Sequence, residues 1–285
     1  MKKLITCLAL FYAFQSFAVD TTLVSLNGNY FYHLTETKNT SAIIFMHGGV
    51  SNPYFKNNKE NSELDFILEG NTAFVQEAMK IGFDLIVPIT NDSLNWITRP
   101  DYCLHVFKTH LHQLKRNYNE VYISGFSDGG TGSFKIFYSH PNAFDGLIVF
   151  NGYPYQNNFA SSVDYSKIET KKILLLGTKD DHVTPYEFML MAYCEQKKVN
   201  PNTYLYVVDG KHSFSFYSEQ DFIEVFGILN AKSDNFKTDP LHGYVRHDEL
   251  IHFYKFKKSI VRKYSFGQAC YDQNKSQQKA LEISK

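Results

Sequence analysis

The sequence predicts a three-layer α/β domain, with a mostly parallel central sheet covered by helices on both faces. Along its 285 residues, short apolar runs alternate with longer amphipathic stretches, the pattern of strands buried on two faces and joined by crossover helices. Glycine-rich or polar turns follow several of these runs on their carboxyl side, where such sheets carry their functional groups. The first two runs, Thr22–Leu26 and Tyr30–Leu34, are separated only by Asn27-Gly28-Asn29 and read as an antiparallel hairpin. The strands expected after it are Ala42–Met46, Phe83–Ile89, Val121–Ser124, Leu147–Phe150, Ile173–Leu176 and Tyr204–Val208. Helices are expected over Thr72–Ile81, Asp101–Arg116, Gly129–Ser139 and Pro185–Lys197, so that βαβ units follow the hairpin in one domain.

The N-terminus departs from this pattern. Lys2 and Lys3 precede an apolar run from Leu4 to Phe14 and a small-residue exit at Ser16-Phe17-Ala18, the three-part layout of a cleaved secretory leader. The run is shorter than a bilayer-spanning helix, so no stable membrane anchor is expected and the mature chain should begin near Val19. Cys7 follows Thr6 within that run and is a poor fit to a lipid-attachment site. An exported chain would keep Cys103, Cys194 and Cys270, an odd number that allows one disulfide and one free thiol without saying which. No Cys/His spacing suggests zinc. A formal net charge of zero, with lysines scattered among acids, argues against nucleic acid as a partner.

The chemistry begins at Gly125-Phe126-Ser127-Asp128-Gly129, a G-x-S-x-G directly between an expected strand and an expected helix. A chain that reverses this tightly leaves no space for side chains around the serine, which is pushed above the sheet beside a helix N-terminus. A hydroxyl needs a base. Of eleven histidines, His212 alone ends an apolar strand downstream of the serine and of an acid. The acid comes from Gly177-Thr178-Lys179-Asp180-Asp181: Asp180 fits a G-x-x-D spacing, Asp181 a D-x-x-T-P reading that ends at Pro185. Asp180 is slightly favoured as the imidazole's partner, leaving Asp181 to cap the next helix. Amide donors for an oxyanion are expected from Gly49 or Val50, in the loop after Ala42–Met46, and from Asp128. His47, ahead of those glycines, is expected to brace the loop.

His47-Gly48-Gly49, Gly125-Phe126-Ser127-Asp128-Gly129, Gly177-Thr178-Lys179-Asp180 and Gly210-Lys211-His212-Ser213-Phe214 occur in the order found in α/β-hydrolases, and from about Ala42 to Phe216 the chain resembles that superfamily. Within it the chain resembles secreted esterases related to dienelactone hydrolase, feruloyl esterase and polyhydroxyalkanoate depolymerase. The resemblance implies a serine hydrolase that works without a cofactor and cleaves an ester through an acyl-enzyme.

The substrate is less legible. Asn151 to Lys172 is short and polar rather than a large apolar lid, favouring an open cleft for a soluble ester or a polymer end over a long-chain lipase site. Tyr153, Tyr155 and Trp96 are candidate lining residues, with Asn95 and Arg99 beside the last. From about Val225 a C-terminal extension carries His242, Arg246, His247 and His252, more readily an added strand near Leu250–Phe256 than a metal site. A serine peptidase and a binding protein that keeps the fold without turnover are the alternatives to an esterase. Oligomeric state leaves no trace in the sequence.

Overall fold

A computed structural model describes residues 19–50, 64–114, 116–154 and 165–230. The expected leader, Tyr155, Cys270, the Leu250–Phe256 strand and the histidines of the extension lie outside the described residues.

One eight-stranded sheet runs in the order β1-β2-β4-β3-β5-β6-β7-β8. β1 (Asp20–Leu26) and β2 (Asn29–Thr35) form the antiparallel hairpin, with Asn27 and Gly28 both at positive φ in its turn. β2 joins β4 (Phe83–Ile89) antiparallel, and every later pairing is parallel. These are β3 (Ser41–Met46), β5 (Glu120–Phe126), β6 (Gly146–Phe150), β7 (Lys172–Thr178) and β8 (Thr203–Val208).

Strict alternation within uniformly apolar strands builds two cores. Ile44, Met46, Leu147, Val149, Ile173 and Leu175 face α3 (Pro100–Gln113), α4 (Asp128–Ser139) and α5 (Tyr186–Lys197). Ile43, Phe45, Ile148, Phe150, Leu174 and Leu176 face α1 (Leu64–Ile67), α2 (Thr72–Lys80) and α6 (Glu219–Asn230). This is the three-layer sandwich expected from the sequence. β5 and β7 run two residues further at their carboxyl ends than their apolar runs suggest, because backbone pairing continues through Gly125 and Gly177.

The expected boundary near Val225 falls inside α6. Phe222, Val225, Phe226 and Leu229 are buried against Phe74 and its neighbours, so this helix completes the domain as far as Asn230. No helix among the described residues is long and apolar enough to cross a membrane. Among the described residues Cys103 is a free buried thiol in α3, its pKa pushed up to about 12 by burial.

Candidate active site

Ser127 stands at the junction of β5 and α4 with φ 57° and ψ −119°, a conformation that costs a non-glycine residue about 1–3 kcal/mol and persists only where its surroundings impose it. Here they do. A Cβ on Gly129 would lie 1.8 Å from the Met46 carbonyl oxygen, and one on Gly125 would lie 2.4 Å from the Gly129 carbonyl carbon. The two glycines thus let β3, β5 and the first turn of α4 close together. The Ser127 amide donates to the Phe150 carbonyl at 2.9 Å, anchoring the turn to β6. Serine is a favoured helix N-cap, yet its side chain makes no cap hydrogen bond here. Its Oγ lies 2.8 Å from His212 Nε2 instead.

His212 follows β8 in a loop pinned from several sides. Its Nδ1 is 2.7 Å from Asp181 Oδ2, and its ring lies 5.0 Å from that of Phe126. Glu69 accepts hydrogen bonds from the Phe214 amide, at 2.6 Å, and from the Ser213 hydroxyl. Asn71 Nδ2 donates to the carbonyls of Phe214 and Tyr217 at 2.9 and 3.0 Å. The segment between β3 and β4 therefore helps set the position of the imidazole.

The acid beside His212 is Asp181, not the slightly favoured Asp180. Gly177 and Thr178 still pair with Val207 and Val208 in the sheet, so the turn starts two residues later than a count from Gly177 assumes. Asp180 is exposed and donates its amide to the Gly210 carbonyl at 2.9 Å. Asp181 has a side chain with no solvent exposure. Its Oδ1 accepts from the amides of Val183 and Thr184, both at 2.8 Å. Its Oδ2 accepts from His212, from Asn151 Nδ2 at 2.6 Å and lies 2.6 Å from Thr184 Oγ1. Burial pushes this carboxyl up, but the bonds from His212, Thr184 and Asn151 outweigh it and hold the pKa below the usual aspartate value. An ionised Asp181 accepts a hydrogen bond from Nδ1–H, leaving Nε2 as the acceptor for Ser127. Neither aspartate caps α5, whose N-cap is Pro185 with no side-chain bond.

The loop after β3 passes directly over the serine: a Cβ on Gly48 would sit 3.0 Å from Ser127 Cβ, and Gly49 turns the chain at φ 75° towards the buried Val50. His47 braces this loop. Its Nδ1 donates to the Gly48 carbonyl at 2.8 Å and its Nε2 accepts from the Thr90 amide at 3.3 Å. Burial lowers its pKa to about 4, so it stays neutral.

Trp96 does not line a cleft. It is fully buried, edge-on to His47 at 4.8 Å, and packed where a Cβ on Gly132 would meet its ring at 2.6 Å. An indole is the largest apolar side chain, and its burial under the loop after β3 outweighs exposure beside it. Asn95 caps the amides of Ile97 and Thr98, and Arg99 lies over the Tyr102 ring; both serve the turn before α3. Tyr153 is half-buried and stacked on Phe188 at 5.1 Å. Asn151, Thr184 and Tyr217 had no motif to mark them; the one available signal for Asn151 is an asparagine directly after a uniformly apolar strand, a place that tolerates positive φ. No cluster of metal-ligating side chains occurs among the described residues.

The strand order, the serine turn and the loops after β3, β7 and β8 together are those of the α/β-hydrolase fold. Solved structures agree. The chain is similar to a protein described as a CIB-like hydrolase from Thermoplasma acidophilum, at 17% identity and TM-score 0.54 over 75% of this chain and 98% of that one. It is similar to the esterase Pf2001 of Pyrococcus furiosus, at 14% identity and TM-score 0.56 over 75% and 92% of the two chains. It is also similar to FphF, a fluorophosphonate-binding serine hydrolase of Staphylococcus aureus, at 14% identity and TM-score 0.53 over 75% and 99%. No family profile and no curated protein matches the sequence.

Proposed function

We propose that this chain is an exported serine hydrolase that cleaves a carboxylic ester of a soluble small molecule or a polymer end. The observation that carries the reading is the unbroken chain of hydrogen bonds from Asp181 through His212 to Ser127, with the serine on a strained turn at a helix N-terminus. Ser127 Oγ attacks the ester carbonyl as its proton passes to His212 Nε2, and Asp181 holds the imidazole's tautomer and stabilises the imidazolium. The amides of Asp128 and of Gly49 or Val50 receive the oxyanion. The imidazolium then protonates the departing alcohol, and water repeats the sequence on the acyl-enzyme to release the acid and restore Ser127. The leader-like segment from Lys2 to Ala18 supports export.

The test is labelling with a fluorophosphonate, lost in Ser127→Ala, followed by a panel of aryl esters and peptide amides. Labelling at Ser127 with turnover of esters and not amides is expected. Modification of a different serine would overturn the mechanism, and amide cleavage at comparable rates would make the chain a peptidase. An uncleaved N-terminus by mass spectrometry of the native protein would remove the exported assignment.

A further inference from the structure

Asn151 directly follows β6 with φ 47°, has no solvent exposure, and shares Asp181 Oδ2 with the imidazole. Every polar atom it has is engaged. Its amide N–H donates to the Leu176 carbonyl at 2.8 Å, and its carbonyl lies 2.7 Å from Thr184 Oγ1. Its side-chain Nδ2 donates to Asp181 Oδ2 at 2.6 Å and to Thr178 Oγ1 at 2.7 Å, while its Oδ1 accepts from the Tyr217 hydroxyl at 2.5 Å. A carboxylate can only accept, so the NH2 group must face Asp181, and the Tyr217 hydroxyl then completes the other end of the amide. Tyr217 and Asn151 are both buried, and the carboxylate could reorient only by breaking this pair or the two loop amides on Oδ1.

We propose that Asn151, its amide oriented by Tyr217, is a positioning residue that holds the Asp181 carboxylate on His212. The proposal rests on the hydrolase reading above. Asn151 touches neither serine nor imidazole among its hydrogen bonds; it acts through the acid. With Asn151 removed, Oδ2 loses a donor and the carboxylate is freer to turn, which misplaces the base at the moment of proton transfer.

The experiment measures the rate of Ser127 phosphonylation by a fluorophosphonate across pH, which needs no knowledge of the natural substrate. In that step a bond forms between Oγ and phosphorus, fluoride leaves, and the hydroxyl proton goes to His212. Asn151→Gly keeps the positive φ without strain and should slow labelling about 10- to 100-fold. Tyr217→Phe deletes only the hydroxyl and should slow it about 2- to 10-fold. Asn151→Asp preserves size and tolerance of positive φ but adds a negative charge near the imidazole. It should move the acid limb of the profile to higher pH, and the charge-neutral Asn151→Gly should move it the same way by taking a hydrogen-bond donor from the Asp181 carboxylate, a shift that packing loss alone would not produce. Asp180→Asn, outside this network, should label as the wild type does.

Melting curves establish that each variant is folded; if Asn151→Gly is not, Asn151→Asp and Tyr217→Phe decide. Wild-type labelling at Ser127, with folded Asn151 and Tyr217 variants unchanged in rate and pH profile, overturns the positioning role and leaves the hydrolase reading intact. Absence of labelling at Ser127 in the folded wild type overturns both.

Discussion

Two carboxylates, each with no solvent exposure, are buried at opposite ends of the central sheet. At the amino ends of β3, β4 and β5, Asp84 accepts from Arg116 Nη1 and the Tyr118 hydroxyl, both at 2.8 Å, from Asn39 Nδ2 at 3.0 Å and from the Glu36 amide at 3.1 Å. At the carboxyl ends, Asp181 is held by a comparable set of donors, but its titratable partner is a histidine in place of an arginine. Arginine keeps its proton at any working pH, so the Asp84 cluster is electrically static. Histidine can take and return one, so the Asp181 cluster can move a proton to and from Ser127. Burial and hydrogen-bond density alone therefore do not set the two acids apart; the titratable partner and what lies on its other side do.

The sharpest way to break this contrast is to neutralise the acids in turn. Asp181→Asn should lower ester turnover about 10⁴-fold by presenting the wrong imidazole tautomer, while Asp180→Asn stays close to wild type. Steady-state kinetics on an aryl ester decides it, and the reverse order would return the acid role to Asp180.

At the other end the effect should appear in stability. Arg116→Leu leaves Asp84 buried and unpaired and should cost about 3–5 kcal/mol in denaturant unfolding. The kcat of the folded fraction should stay within a few-fold of wild type; a large fall in kcat would mean that the two ends are coupled.

Acid titration separates the ends by pH. Burial lowers the pKa of His110 to about 4, with a smaller contribution from His33, and lowers His47 to about 4. The unfolded chain binds these protons near pH 6.5. Stability should thus be full above pH 6.5 and decline as pH falls towards 4, because the unfolded state takes up more protons there. Asp181 is shifted in the same direction but acts in a lower window: its contribution is present above the ordinary aspartate pKa of 3.8 and is lost as pH falls through its lower folded value. His110→Phe, which can keep the stacking on Phe31 at 4.0 Å, should flatten the decline between pH 6.5 and 4. An unchanged slope would assign that decline to other groups.

The smallest effect concerns the clamp on the histidine loop. Asn71→Ala removes the donor to Phe214 and Tyr217 and should cost about 1–3 kcal/mol of stability, since two carbonyls each lose a donor. Thermal unfolding measures this. A larger fall in kcat than in stability would show the clamp setting His212 geometry more than loop packing.

Much of this architecture could be read before folding. Every strand expected between Thr22 and Val208 is present, with ends moved by a few residues, as in β5, whose apolar run ends before the glycine of the serine turn. Helix α6 has a less sharply one-sided apolar pattern than α2, and the packing of Phe222, Val225, Phe226 and Leu229 on Phe74 shows that it belongs to the domain. Trp96 misleads for a general reason: its position after β4 is a cleft-facing one, and only the packing of Gly132 and His47 shows that an indole fills it.

The sequence by itself determined the order of the eight strands and of helices α2 to α5, the serine turn and the loop that carries the histidine. Each of these depends on local periodicity or on glycines required by a tight reversal. Tertiary structure alone decided between Asp180 and Asp181, because the choice turns on how far β7 stays paired with β8, through Gly177 with Val207 and Thr178 with Val208. It also decided that Asn151 and Tyr217, 66 residues apart, meet behind the acid. Strand register and side-chain convergence are long-range contacts, and local sequence pattern carries no record of which distant partner a buried polar group will find.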